Sequence, residues 1–371
     1  GGSDFGRISL QEMSTRLCGS ADLFATEPGR GAPASINFVS CHDGFTLTDL
    51  TRYRSKHNEA NGENNNDGSS VNHSANFGVE GVTDDPDVIA AREQAAMNMI
   101  GMLLLSLGTP MMLAGDEFRN TQDGNNNAYC QDNDITWLKW DWMYSTNKTR
   151  EMRRLETVSR LVALRKSLDL YHHEDFFTRL TQIGLLKPSS RVQWFLPDGT
   201  TPMERDWFDL GVRSFTMRLL SNSEVDVCIV VNGTADDRTF RLPPDTHWTP
   251  KWCSAEINGR RAGHGTQVEE CDLNGDTTVW TQHVPDASET VLKMVEEVAM
   301  QRTESSTENE ADTIKFAMPV TDHAANGTSS APRDEVSADM PDAPVDDTPD
   351  TPVDDNVWTM PALSITLMKQ V

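Results

Sequence analysis

Apolar residues recur at helical spacing in two long segments of the chain. The first is 85–107, where Asp85 and Pro86 supply a capping side chain and a proline at the first helical position. The second is 149–168, whose apolar positions share one face of a helix: Leu155, Val158, Leu161, Val162 and Leu164. A shorter helical patch covers 9–17. The pattern therefore predicts two amphipathic helices and a short third one in the first half of the chain.

Short apolar, β-prone runs at 36–40 and 110–114 lie on either side of the first long helix. Each run ends abruptly in polar residues, which is typical of a buried strand that delivers chemistry at its carboxyl end. Strand, helix and strand in this order predict a right-handed βαβ unit. The helix at 149–168 would cover the outside of the second strand. The intervening loop, 43–83, is rich in Asn, Gly and Asp, and irregular loops of this length are usually functional.

The pattern changes after about residue 179, where short alternating or β-branched runs at 213–219, 225–231 and 239–242 predict a small antiparallel β domain. Segment 286–356 is rich in Pro, Asp, Thr and Ser, and we expect it to be disordered. Segment 357–368 is strand-like again. The predicted division is a first domain at 1–178, a β domain at 179–285, an acidic disordered insertion at 286–356, and the last strand of the β domain within 357–371.

Composition and charge exclude several classes of function. The net charge is −25, and segment 286–356 alone carries 18 acidic and 4 basic residues, so the remainder is only mildly acidic. This balance argues against nucleic acid or an anionic membrane as a partner. The six cysteines are scattered without a Cys-x-x-Cys pair, which is typical of reduced thiols and predicts a cytoplasmic protein. Phosphate-binding glycine loops and zinc-type spacing are absent, so we expect no cofactor and no metal.

The candidate chemistry begins at His42 and Asp43, directly after the first predicted strand. A carboxylate accepts hydrogen bonds from sugar hydroxyls and an imidazole can donate one, so the pair is a candidate for hydroxyl recognition. The alternative is a capping aspartate beside a core histidine.

Two further loops carry amide, carboxylate and aromatic side chains that suit vicinal hydroxyls: Asn58, Glu59, Asn61, Glu63, Asn126, Asn127 and Tyr129. The alternative for any one of them is a loop that hydrogen-bonds to itself. Asp116 and Glu117 are neighbours whose side chains point in opposite directions in an extended chain, so we expect them to shape the cleft and not to catalyse.

These blocks resemble the last two barrel strands of the glycogen debranching enzymes and isoamylases of glycoside hydrolase family 13. The resemblance is carried by Ile36-Asn-Phe-Val-Ser-Cys-His-Asp-Gly44 and Lys56-His-Asn-Glu-Ala-Asn-Gly-Glu63, and in the second half by Gly108-Thr-Pro-Met-Met-Leu-Ala-Gly-Asp-Glu117 and Gly124-Asn-Asn-Asn-Ala-Tyr-Cys-Gln-Asp-Asn133. It implies an α/β plus all-β fold: the last two strands and helices of a (β/α)8 TIM barrel, followed by an antiparallel β-sandwich.

The same resemblance implies retaining hydrolysis of α-1,6-glucosidic branch linkages in a branched α-glucan such as glycogen or limit dextrin. Asp43 would then be the catalytic transition-state stabiliser and His42 a substrate ligand. The family's blocks for the nucleophile and the general acid do not occur in this sequence. The chain is therefore expected to be a truncated, catalytically incomplete form that requires the missing N-terminal part of the barrel, without which the first domain would fold poorly. The alternatives are a non-catalytic glucan-binding or regulatory module, or a fragment without function.

Overall fold

The computed structural model describes residues 8–25, 30–172, 178–180, 186–188, 191–221, 226–244, 247–264, 269–270, 356–361 and 364–370. All of them belong to one compact unit, formed by Gly1–Ala287 and Val353–Val371. A second unit, Ser288–Pro352, lies outside the described residues, as does the prediction of disorder for almost all of 286–356.

The predicted helices are present, and their bounds follow from local capping. Helix α1 (Leu10–Leu17) begins at Ser9, which forms a capping box with Glu12, and a short helix α2 (Ala21–Phe24) follows it. Helix α3 (Leu47–Leu50) lies within the long polar loop. Helix α4 (Pro86–Leu105) begins where the Asp85 carboxylate accepts two backbone N–H groups, and α5 (Arg150–Ser167) begins at Thr149.

Helix α4 is long and apolar enough to cross a bilayer by length and composition alone, but half of that window is buried in the protein. Its buried side chains Ala96, Met97, Ile100 and Leu104 belong to the main hydrophobic core. This burial is typical of the core helix of a globular unit.

Strands β1 (Ile36–Asn37) and β2 (Thr109–Pro110) precede and follow α4 in the sequence. They pair in parallel with each other, as the βαβ prediction requires. The prediction that both strands are buried is wrong, because Ile36 and Phe38 are 59% and 54% exposed and Met111 is 39% exposed. Parallel strands become buried when neighbouring strands and helices cover both of their faces. Within the described part of the chain, β1 and β2 pair only with each other.

The second half forms the antiparallel β-structure that the sequence predicts. The strands of this region, and a short α-helix among them, have the following bounds: β3 (Thr178–Leu180), β4 (Leu186–Pro188), β5 (Val192–Phe195), α6 (Glu204–Phe208), β6 (Ser214–Leu219), β7 (Val227–Asn232), β8 (Arg238–Arg241), β9 (Trp248–Cys253), β10 (Arg260–Arg261), β11 (Gly263–His264), β12 (Glu269–Glu270), β13 (Val357–Met360) and β14 (Ser364–Gln370). One sheet has the order β5-β6-β7-β14-β9, and a second has the order β11-β13-β8.

The two sheets share a hydrophobic cluster, in which Val230 and Met368 of the first sheet pack with Phe240 and Met360 of the second. The prediction of a single last strand in 357–368 is wrong, since β13 and β14 belong to different sheets. Proline 361 lies between them, and its lack of an N–H group is compatible with an interruption of the ladder at that point.

One hydrophobic core joins the helices to the β-structure. Leu161 of α5 and Trp252 of β9 are completely buried in it. The Trp252 indole donates a hydrogen bond of 3.3 Å to the Thr157 carbonyl of α5, and the ring packs where Gly101 of α4 has no side chain. Helices α4 and α5 thus pack against the β domain.

Candidate functional site

His42 and Asp43 lie in the loop between β1 and α3, and both side chains are almost fully exposed, at 87% and 81%. The His42 Nε2 and Asp43 Oδ2 atoms are 3.6 Å apart, and a polar contact at such an exposed position contributes little to stability. Asp43 therefore does not act as a helix cap, and His42 is not a core histidine, in this structure. Both groups are therefore accessible to a ligand.

Asp116 forms hydrogen bonds with both ends of the loop that carries His42 and Asp43. Its carboxylate accepts hydrogen bonds from the Ser40 hydroxyl on one side and from the Leu47 N–H, at 2.9 Å, on the other. Asp116 is 1% exposed, and burial raises the pKa of its carboxyl to about 6. The geometry gives Asp116 the structural role that the sequence predicted for it.

Asn58 and Asn126 bind each other and not the solvent. Asn58 is completely buried; its Nδ2 donates to Asn126 Oδ1 at 2.9 Å, and its Oδ1 accepts from the Asn126 N–H at 3.0 Å. Asn126 is 3% exposed and also donates to the Ser69 carbonyl at 2.8 Å. For these two predicted ligands the structure shows the alternative, a loop that hydrogen-bonds to itself, because no face of either amide is open to a sugar.

Asn61 and Asn127 surround Asp67, a carboxylate that is not among the predicted site residues. The Asn61 and Asn127 amides donate to Asp67 Oδ2 at 2.7 Å and 2.9 Å, and Asn61 also accepts from Gln131 Nε2 at 2.7 Å. These hydrogen bonds, that of Asn61 foremost, lower the pKa of Asp67. The turn-forming run that ends at Gly68 is the sequence signal that could have identified Asp67 as a hydrogen-bond acceptor within this loop.

The remaining predicted ligands, Glu59, Glu63 and Tyr129, are exposed; the Tyr129 side chain is 71% exposed. Trp137 is 55% exposed, whereas the rings of Trp140 and Trp142 pack on Phe118 at 4.7 Å and 5.4 Å between centroids. Interior packing thus accounts for Trp140 and Trp142, and only Trp137 of this group is open to solvent.

Backbone hydrogen bonds join the three loops into one surface. The Gly44 N–H donates to the Asn126 carbonyl at 3.0 Å, and the His57 N–H donates to the Gly124 carbonyl at 2.8 Å. We call loops 40–47, 56–69 and 120–131 the polar loop assembly. Among the groups that it presents to solvent are the His42 imidazole, the carboxylates of Asp43, Glu59 and Glu63, and the Tyr129 ring, which are groups that bind sugar hydroxyls and sugar faces. The described residues contain no cluster of three or more metal-ligating side chains.

Comparison with curated proteins identifies relatives of one kind. A protein of Mycobacterium tuberculosis named "Glycogen operon protein GlgX homolog" is 44% identical over 210 residues, covering 56% of this chain and 28% of its own length. A glycogen debranching enzyme of Pectobacterium atrosepticum is 37% identical over 270 residues, covering 72% of this chain and 38% of its own length. A glycogen debranching enzyme of Escherichia fergusonii is 53% identical over 134 residues, covering 36% of this chain and 20% of its own length.

The chain is thus homologous to glycogen debranching enzymes, as its motifs indicated, and spans between a fifth and two fifths of the length of these relatives. No family model matches it. Among solved structures, a pullulanase from Bacillus acidopullulyticus covers 67% of this chain and 23% of its own, with 17% identity and a TM-score of 0.41. That likeness is too weak to carry an argument about the fold.

Proposed function

We propose that the chain supplies one wall of the active-site cleft of an α-1,6-glucan debranching hydrolase. The observation that carries this proposal is the joining of the two motif blocks. The loop of His42 and Asp43 hydrogen-bonds to the loop of Asn126, and the buried carboxylate of Asp116 accepts hydrogen bonds from both ends of the first of these loops. Homology to glycogen debranching enzymes supports branched α-glucan as the substrate class.

Asp43 acts in this proposal on the hydroxyl groups of the glucose unit at the cleaved bond. Its carboxylate accepts their hydrogen bonds, and these strengthen as the sugar ring flattens toward the oxocarbenium-like transition state. His42 donates a further hydrogen bond to the same unit. Asp43 needs no proton transfer for this role, which fits an exposed carboxylate that lies beside a histidine.

Two further carboxylates, a nucleophile and a general acid roughly 5–5.5 Å apart, are needed for retaining hydrolysis. Glu59 and Glu63 belong to the substrate-binding loops in this proposal, and Asp116 is buried. We infer that the two catalytic carboxylates come from a further barrel segment, in the same or a second polypeptide. Such a segment would pair with β1 and β2 and cover the exposed side chains of Ile36, Phe38 and Met111.

The test is glucan binding and hydrolysis by the purified chain, with Asp43→Asn and the exposed Asp134→Asn as a matched control. We expect saturable binding of a branched maltooligosaccharide without release of reducing ends. Asp43→Asn should weaken binding by about tenfold or more, because it removes hydrogen bonds to a charged group. Asp134→Asn should leave binding unchanged.

Addition of the complementary part of the Pectobacterium atrosepticum enzyme should then produce hydrolysis that depends on Asp43. Hydrolysis by the chain alone would place all catalytic carboxylates within it and refute the inferred second segment. Binding without hydrolysis after complementation would favour a non-catalytic glucan-binding module. If no glucan is bound with or without the complementary part, the debranching proposal is wrong.

A further inference from the structure

A cavity of ≈ 180 Å³ lies between α3, the first turns of α4 and the start of α5. Its lining includes Thr48 of α3, Arg92 and Glu93 of α4, and Arg150, the first residue of α5, together with Arg52 and Arg119. None of these six residues belongs to the polar loop assembly. The cavity is therefore distinct from the glucan surface proposed above.

Four arginines and two acidic residues, Glu93 and Asp84, line this cavity. Glu93 does not neutralise the excess charge there, because it is shared between two arginines. Its Oε1 lies 2.9 Å from Arg119 Nε, and its Oε2 lies 2.8 Å from Arg154 Nη2. Asp84 is exposed. The wall of the cavity thus carries a net positive charge.

The arginines of the wall retain donors for a ligand. Arg92 is 5% exposed; its terminal nitrogens donate to the carbonyls of Gly81, at 2.6 Å, Asn76 and Val79, but its Nε has no hydrogen-bond partner. The guanidinium groups of Arg52 and Arg150 have neither a hydrogen bond nor an ion pair with any residue that the structure describes. A buried polar atom without a partner is costly, and an acceptor bound in the cavity would remove that cost.

The electrostatics also favour an anion. Burial lowers the pKa of Arg92, and burial together with the nearby charges of Arg154 and Arg52 lowers the pKa of Arg119 to about 10. Both shifts mean that the positive charges lack sufficient compensation. The start of α5 adds its partial positive charge on the same side.

We propose that this cavity binds a phosphate dianion, either inorganic phosphate or the phosphoryl group of a small phosphomonoester. Several arginines that line one small cavity match a tetrahedral oxyanion, which accepts hydrogen bonds from many directions. The Thr51 hydroxyl is a further lining group, although it donates to the Thr48 carbonyl at 3.0 Å. Exposed Val82 and Asp84 are also lining residues, and the organic part of an ester would extend past them into solvent.

The experiment is a calorimetric titration of the full chain with inorganic phosphate at constant ionic strength, since salt screens exposed charges. The variants are Arg52→Gln and Arg150→Gln, with Arg54→Gln as the control. Arg54 is exposed, lies two residues from Arg52 and does not line the cavity. Arg52 is only half-buried and Arg150 is exposed, so these changes should leave the unfolding midpoint without phosphate unaltered.

We expect saturable binding by the unmodified chain and by Arg54→Gln, with the dissociation constant raised about tenfold or more in each of the other two variants. Phosphate should also raise the unfolding midpoint of the unmodified chain, because it binds the folded state. Absence of saturable binding overturns the proposal, and so does an equal loss in all three variants, which would mean general charge screening.

Titrations with glucose 6-phosphate and with glucose distinguish the two sources of the phosphoryl group. Binding of glucose 6-phosphate tighter than that of inorganic phosphate, with no binding of glucose, assigns a phosphomonoester. Equal or weaker binding of the ester assigns free phosphate. These results do not depend on glucan cleavage, so a failure of the debranching proposal leaves this one standing, and the reverse also holds.

Discussion

Gly68 lies where one added methyl group would separate two buried amide side chains. Its φ is +72°, and a Cβ atom there would clash with Asn126 Oδ1 and lie 2.7 Å from Asn58 Nδ2. These two atoms are hydrogen-bonded to each other at 2.9 Å, and both side chains are buried. Gly62 provides a matched control, since its φ is +80° and a Cβ atom there meets nothing within 4 Å.

Both alanine variants place a side chain in the left-handed region, which costs about 1 kcal/mol. Gly68→Ala must also break or distort the Asn58–Asn126 contact, and a buried polar group left without a partner costs about 1–3 kcal/mol. We therefore expect the free energy of unfolding to fall by about 2–4 kcal/mol for Gly68→Ala and by about 1 kcal/mol for Gly62→Ala. Urea unfolding followed by tryptophan fluorescence measures both. Equal losses in the two variants would refute the argument that the Asn58–Asn126 contact stabilises the loops.

Two further predictions concern buried charges. Because burial raises the pKa of Asp116 to about 6 in the folded chain, its contribution to stability is full below about pH 4 and is lost as the pH rises through 6. Between about pH 4 and pH 8 the unmodified chain and the exposed control Asp134→Asn should each lose about 3 kcal/mol more unfolding free energy than Asp116→Asn; identical pH profiles would contradict this. Arg154→Met should cost about 3–5 kcal/mol in the same urea assay, since it removes a buried partner of Glu93, whereas Arg16→Met at the half-exposed ion pair with Asp22 should cost about 1 kcal/mol or less. Equal costs would show that burial does not decide the strength of these pairs.

The helices could be predicted from the sequence because their signals are local. Asp85 and Pro86 at the start of α4 and Thr149 at the start of α5 determine where each helix begins without reference to the rest of the chain. The pairing of β1 with β2 also followed from the order of elements. The exposure of these two strands could not be predicted in the same way. Apolar composition shows that a strand is suited to burial, but it does not show whether the neighbouring strands that would bury it are present.

The candidate site was predicted less completely, since its contacts join distant segments. Nothing near Asn58 indicates that its amide is bound by Asn126, 68 residues further along the chain. The exposure of His42, Asp43 and Tyr129 agrees with a binding role, which stays a prediction until it is tested. The arginine-lined cavity had no sequence signal, because its cationic residues come from four separate segments.

Strand β14 lies between β7 and β9, in the interior of the larger sheet, although it follows every other described strand in the chain. During synthesis β7 and β9 are therefore made long before the strand that separates them, and about 110 residues intervene between β9 and β14. The larger sheet can be completed only after β14 has left the ribosome; until then β7 has one unpaired edge, and β9 has no strand to pair with among the described residues. The β domain, and the helices that share its core, are thus expected to complete their folding only once β14 has been synthesised.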